Sequence, residues 1–195
     1  MEKTLKALLE ELEQFGLQND AIAKDSANRM LNITRETGEL LMALIHATGA
    51  QRILEIGTSN GYSTLWLAHA AGATGGRVTT VEASDHKVML AEENFRAAGL
   101  ASIITVLHDR AHAVLARSTD SAYDFIFLDA GRNEYPRMWS SLKRVLRRGG
   151  SIVADNATSH PGEIAPFMDL VKSDPDFLTA LLPVGKGEFL AVKAP

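Results

Sequence analysis

Apolar and polar positions along this chain follow two alternating periods. Ile53, Leu54 and Ile56 make a short apolar run suited to a strand covered on both faces, and Leu65, Leu67 and Ala68 then open a helical pattern. The alternation repeats downstream as helix 62–71, strand 78–82, helix 85–98, strand 103–107, helix 111–116, strand 125–129, helix 134–146 and strand 151–155, joined by short glycine or polar turns. Such a succession predicts a doubly wound, parallel α/β sheet. The tail breaks the rhythm. Residues 163–172 read as a helix, while 177–184 and 188–192 flank Gly185-Lys186-Gly187 as an antiparallel hairpin closing one edge, which makes a mostly parallel sheet of seven strands.

The N-terminal residues carry extra helices. Leu5, Leu8, Leu9, Leu12 and Phe15 fall on one helical face that ends at Gly16, read as a glycine cap. That face covers either the sheet of its own chain or a second copy. A second helix is expected over 20–31, then a turn, then a helix through His46 with Leu40, Leu41, Leu44 and Ile45 inward and Thr34 or Thr37 as its cap. Residues 1–195 read as a single domain, a helical cap over 1–48 on an α/β core over 52–195.

Composition narrows the function classes. The 195 residues include no cysteine, so disulfides, thiolate catalysis and zinc-thiolate sites are excluded and a metal must be held by oxygen or imidazole. The formal charge is -4, and basic residues cluster no further than the pairs Lys143-Arg144 and Arg147-Arg148, read as a solvated helix face. Nucleic acid is therefore not expected as a partner. No stretch approaches the roughly 20 apolar residues of a membrane span, and the N-terminus carries acids from Glu2 onward without an apolar signal core, so no membrane association and a cytoplasmic location are expected.

Candidate chemistry gathers where strands end. Gly57-Thr58-Ser59-Asn60-Gly61 follows the first strand and opens a helix, placing polar groups beside free amides. Its Glu-x-Gly-x-x-x-Gly spacing lacks the dinucleotide fingerprint, which weighs against a nicotinamide-dependent reductase. It also sets the carboxylate of Glu55 just before the loop, which favours a cationic ligand such as a sulfonium over a pyrophosphate. Glu82 ends the next strand about 20 residues on, the place of an acid that binds ribose hydroxyls. The other strands end in His108-Asp109, Asp129 and Asp155-Asn156, an excess of carboxylate that asks for cations. If the strands before Asp129 and Asp155 are neighbours, Asp129, Asp155 and Asn156 form an oxygen-only set suited to Mg²⁺, with Ca²⁺ or Mn²⁺ as alternatives. Otherwise Asp155 and Asn156 cap the following helix and Asp129 binds a ligand amine.

These residues resemble the class I, cation-dependent O-methyltransferases that use S-adenosylmethionine, the group of catechol and caffeoyl-CoA O-methyltransferases and their bacterial relatives, from about Met30 to the end of the chain. The resemblance implies a Rossmann-like methyltransferase fold. It further implies that Leu31-Asn32-Ile33 with Thr37-Gly38 contacts the methionine part of the cofactor, and that Leu54-Glu55-Ile56-Gly57-Thr58-Ser59 with Gly61-Tyr62-Ser63 is the cofactor loop. Glu82, followed by Ala83, matches the acid on the ribose, and His108-Asp109-Arg110-Ala111 matches the adenine turn. Phe127-Leu128-Asp129-Ala130 and Val153-Ala154-Asp155-Asn156 match the segments that supply metal ligands. The implied reaction is methyl transfer to a hydroxyl of a small, catechol-like aromatic acceptor, acidified by the metal, in an enzyme that is commonly a homodimer.

One position departs from the resemblance. A lysine three residues after the first metal-binding Asp is the base in catechol-type relatives, and here that residue is Arg132, which cannot deprotonate. Arg132 either stabilises the oxyanion, with water taking the proton, or lies on the surface. Thr37 likewise stands where some relatives carry a lysine. His160 is either a substitute base at the cleft rim or an exposed loop residue, and Tyr135, Met138 and Trp139 either wall the acceptor pocket or pack in the core. The remaining rival functions are metal-independent methyl transfer on the same fold and S-adenosylmethionine binding without turnover.

Overall fold

A computed structural model of the protein describes residues 3–195, apart from the side chain of Ser26. Seven strands form one sheet: β1 (Arg52–Ile56), β2 (Arg77–Glu82), β3 (Ile104–His108), β4 (Tyr123–Leu128), β5 (Leu146–Ala154), β6 (Phe177–Leu182) and β7 (Glu188–Lys193). Their order is β3-β2-β1-β4-β5-β7-β6. The first five pair in parallel, and β7 runs antiparallel to both β5 and β6. The chain leaves β1 in one direction to build β2 and β3 and returns to build β4 and β5 on the other side. The carboxyl ends of β1 and β4 are therefore where a ligand crevice opens in such a sheet.

Strand parity divides the core into two layers. Ile53, Phe125, Phe127 and Val153 face the helices α1 (Lys3–Ile22), α2 (Arg35–Thr48), α3 (Tyr62–Thr74) and α4 (Asp85–Ala97), while Leu54, Ile56, Ile126, Leu128 and Ile152 face α5 (Ala111–Arg117), α6 (Tyr135–Val145) and α7 (Pro161–Ser173). The carboxylate of Glu55, sharing the parity of Ile53, is thereby committed to the α3 side.

The N-terminal expectations need correction. The first helix does not stop at Gly16 but continues to Ile22, because Gly16 sits in the helix where the Asn32 amide presses against it and leaves no room for a Cβ. Its buried face is Leu5, Leu9, Leu12 and Gly16, and Phe15 is exposed. No second helix fills 20–31; a single short turn of 3₁₀ helix at Ser26–Asn28 takes its place. Asp20 draws the segment back instead, accepting the amides of Met30 at 2.6 Å and Leu31 at 2.8 Å. The helix after it is capped as expected, with the Thr34 hydroxyl accepting the Thr37 amide. The basic pairs are not a solvated helix face. Lys143 pairs with Asp174 and Asp176, Arg144 with Asp120, and Arg147 lies on β5 paired with Asp124. Among the described residues, no helix is long and apolar enough to cross a membrane.

Candidate active site

The hydrogen-bond ladder of the sheet runs one residue past several strands. The amides of Gly57, Asp109, Asp129 and Asp155 donate to the carbonyls of Val81, Glu82, Ile56 and Leu128 at 3.0, 3.0, 2.9 and 3.1 Å. Each bond fixes the first residue beyond a strand at the rim of the sheet. Gly57, with φ +102°, brings β1 so close to β4 that a Cβ would strike the main-chain carbonyl of Asp129.

A crevice of about 680 Å³ opens there, lined by Gly57, Ser59, Glu82, Asp109 and Asp129 among others. A neighbouring hollow of about 550 Å³ is walled by Ala83, Asp109, Arg110 and Ala111. A narrow cleft on the other flank touches Asn32, Ile33, Thr58, Tyr62 and Ser63. Residues that the sequence marked from five separated segments thus meet around one opening.

Two of them do not. Gly61 caps α3 and faces the ring of Phe95, not the crevice. Glu55 is fully buried beneath α3, as its strand parity dictates, and contacts no part of the opening. One oxygen accepts the Ser63 hydroxyl at 2.5 Å, the other accepts Thr64 and, at 2.6 Å, Thr80, whose hydroxyl also bonds Thr58 at 2.6 Å. Burial lifts its pKa to about 7 against the opposing pull of those hydroxyls. Glu55 therefore ties the loop to β2 from behind.

Glu82 is held for contact at the opening. Its oxygens accept the amides of Ser59 at 2.9 Å and of Ala83 and Ser84 at 3.0 Å, which aims the carboxylate across the mouth of β2. Asp109 is braced by Arg117 at 2.6 Å, and this pairing, with the Arg110 amide, holds its carboxyl below the usual range.

Because β4 and β5 are neighbours, Asp129 feels the charge of Asp155, which in turn is bonded by Asn156. Burial, then the charges of Asp155 and Glu55, push the Asp129 carboxyl well above its ordinary pKa, and Lys186 and Arg132 offset only part of this. Both oxygens of Asp155 are taken by Asn156, one by its amide nitrogen at 2.7 Å and one by its side-chain amide. A third carboxylate, Glu188 at the start of β7, was missed in the sequence. One oxygen accepts the Thr37 hydroxyl at 2.7 Å and the other is buried without a hydrogen-bond partner. Burial and then Asp155 raise its pKa to about 9. The donor chemistry fits a hard cation. Even so, no three His, Asp or Glu side chains among the described residues stand ready as a ligand shell, and Asn156 would need to turn its oxygen inward to complete one.

Arg132 lines the crevice rather than the outer surface, and its guanidinium is bound to Glu163 on α7 at 2.9 Å. His160 lies at the rim with Nδ1 2.9 Å from the Ser159 hydroxyl. Tyr135 and Trp139 are not pocket walls. Tyr135 is buried with its hydroxyl on the backbone of Ala130, and Trp139 packs on Phe167 and Phe177; only Met138 reaches the hollow beside the crevice. Met30 and Lys186 also line the opening although sequence reasoning passed them over. Leu31, Ser59 and Asn156, all lining the crevice, hold left-handed backbone at φ 53°, 49° and 70°, strain of the kind that concentrates at functional sites.

A profile of the O-methyltransferase family matches residues 3–194. A protein of Mycolicibacterium vanbaalenii provisionally named an O-methyltransferase is 30% identical over 92% of this chain and 87% of its own length. A catechol O-methyltransferase of Mycobacterium tuberculosis is 35% identical over 70% of this chain and 62% of its own. Among solved structures, the O-methyltransferase of Bacillus cereus in complex with S-adenosylhomocysteine superposes with a TM-score of 0.80 at 29% identity, covering 96% of this chain and 90% of that one. With the crevice at the β1–β4 switch and a match over nearly its whole length, the chain belongs to the O-methyltransferase family, the S-adenosylmethionine-dependent enzymes that its loop and strand-end motifs resemble.

Proposed function

We propose that this chain transfers the methyl group of S-adenosylmethionine to a hydroxyl of a small, catechol-like acceptor, assisted by a divalent cation, Mg²⁺ first. The observation that carries this reading is the crowding of carboxylates at the carboxyl ends of the sheet, with Asp129 on the crevice wall, its pKa raised, near Asp155 and Glu188. A sulfonium and a hard cation are the charges such a place accepts. Glu82 takes the ribose hydroxyls, Ala83, Asp109, Arg110 and Ala111 wall the adenine, and Asn32, Ile33, Thr58, Ser59, Tyr62 and Ser63 hold the methionine end. That the Bacillus cereus relative was solved in complex with S-adenosylhomocysteine supports the choice of donor.

The acceptor oxygen forms its bond to the methyl carbon as the carbon–sulfur bond breaks; its proton passes to water and a neutral thioether leaves. Holding that oxygen in line with the methyl accounts for much of the acceleration, because the step cancels charge and needs little covalent help. A divalent cation held by Asp129, Asp155 and Asn156 would acidify the acceptor hydroxyl. Arg132, fixed by Glu163, stabilises the oxyanion electrostatically. The amide of Asn156 turned onto Asp155 favours a second reading, transfer without a metal.

One assay separates these. Protein stripped with EDTA and supplied with S-adenosylmethionine and a panel of catechols is expected to be inactive and to recover with Mg²⁺. Activity indifferent to EDTA supports the metal-independent reading, and donor binding without methylation of any catechol refutes the reaction. A homodimer is proposed as well, on the apolar surface that Phe15, Leu17 and Ile22 of α1 expose at 43%, 63% and 79%, and light scattering in solution checks it.

A further inference from the structure

The acceptor side of the crevice is polar and carries two cationic side chains near Asp129. Beyond Gly57 and Asp129 it is formed by Leu31, Arg132, Asn156, Ser159, His160 and Lys186, and no Phe, Tyr or Trp ring lines the crevice among the described residues. A flat, uncharged acceptor has little there to stack on. The two strong cations differ in what they have left to bind. Arg132 already commits Nε and one terminal nitrogen to Glu163. Lys186 makes no ion pair within 4.0 Å among the described residues, and its half-buried ammonium has only a long contact, 3.5 Å, to the carbonyl of Asn32.

Lys186 is nonetheless held firmly. It sits at the tip of the β6–β7 turn, whose carbonyl at Lys186 accepts the Thr158 amide at 3.2 Å, the Thr158 hydroxyl at 2.7 Å and the Ser159 amide at 3.1 Å. The flanking Gly185 and Gly187, at φ +56° and +88°, let the turn press against Thr37 on one side and Thr158 on the other, where any Cβ would collide. The backbone is thus clamped between α2 and the loop after β5, while the side chain lines the crevice and its ammonium has donors to spare.

Resting on the O-methyltransferase reading, we infer that Lys186 determines acceptor specificity: it binds an anionic group on the acceptor, so that the substrate class is a hydroxylated aromatic acid rather than a neutral catechol. The charge-assisted hydrogen bond forms in a half-buried site, where it is stronger than at the surface. It leaves the acceptor hydroxyl on the Asp129 side of the crevice.

The test compares 3,4-dihydroxybenzoate with 3,4-dihydroxybenzamide, a neutral partner of nearly the same shape. With the Mg²⁺-supplied protein, the benzoate is expected to give a kcat/KM about tenfold or more higher, expressed mainly in KM, as one charge-assisted hydrogen bond allows. In K186M the ratio of the two values is expected to fall to about one, and in K186R to stay well above it. Binding of both compounds to protein loaded with S-adenosylhomocysteine, read by calorimetry, should show the same order even if neither is turned over. Equal affinity for the two in wild type overturns the inference. So does a K186M variant that slows both equally and keeps their ratio, because Lys186 would then serve only as counter-charge to the carboxylates. Methylation of the benzamide with no preference sinks this inference and leaves the O-methyltransferase reading standing, whereas absent methylation with the predicted binding order does the reverse.

Discussion

Two aspartates at opposite ends of β4 show how differently one sheet treats charge at its two edges. Asp124, near the amino end, accepts the amides of Gln51 and Arg52 at 3.0 and 2.9 Å and pairs with Arg52 at 2.7 Å and Arg147 at 2.8 Å. Burial opposes its ionisation, but these partners outweigh it and hold the pKa at about 2. Asp129, just past the carboxyl end, is half-buried at the crevice wall near other carboxylates, its pKa driven up, with two cations nearby and no ion pair to either within 4.0 Å among the described residues. The first edge is complete as it folds. The second is built to be completed by something the chain does not supply, which is the signature of a site under selection for binding rather than for stability.

The contrast makes its largest claim at Asp129. The variant Asp129→Asn keeps the shape and removes the charge; methyl transfer is expected to fall about a hundredfold or more while the melting temperature holds or rises, since a carboxylate repelled by Asp155 and Glu55 is lost. A fall in both together would erase the distinction between the edges.

Glu55 sharpens the comparison through pH. Its folded pKa of about 7 lies above the unfolded value of 4.5, so between those limits the folded state binds more protons and stability declines as pH rises. Relative to wild type, Glu55→Gln is therefore expected to gain on the order of 2–3 kcal/mol on going from pH 4.5 to pH 8, read as the difference between urea midpoints. A flat difference means Glu55 is ionised at low cost.

At the amino edge, Asp124→Ala should leave two backbone amides and two guanidinium groups without their acceptor. A loss of about 2 kcal/mol is expected, discounted because both arginines are partly solvated, with kcat unchanged. The smallest effect falls on the strained rim. Leu31→Asn suits the left-handed backbone at φ 53° and should stabilise by about 0.5–1 kcal/mol in thermal melts.

Much of this was legible from local pattern. Short apolar runs located every strand of the sheet, although β5 begins at Leu146, five residues before the expected start and at the end of the expected helix, and the switch point follows from alternating strands and helices. The strand-end acids were legible because each ladder bond carries the next residue to the rim. Glu55 was misread in role although its alternation with Ile53 already assigned it to the α3 face. Gly16 looked like a cap because the sequence does not show Asn32 packing on it. Lys186 and Glu188 were not legible, since their position depends on a hairpin returning beside β5 and on Thr37 from a segment about 150 residues earlier. Tyr135 and Trp139 illustrate the same limit: proximity in sequence to Arg132 did not settle which way α6 turned its rings.

The most direct test counts protons. If the carboxyl edge awaits a cation, then at pH 7 Glu188, its pKa raised to about 9, holds a proton, and a sulfonium arriving at this edge favours its release. Calorimetric titration with S-adenosylmethionine and with S-adenosylhomocysteine, each in two buffers of different ionisation enthalpy, yields the number released. The charged donor is expected to release measurably more protons than the neutral thioether, and equal numbers for the two would contradict the account.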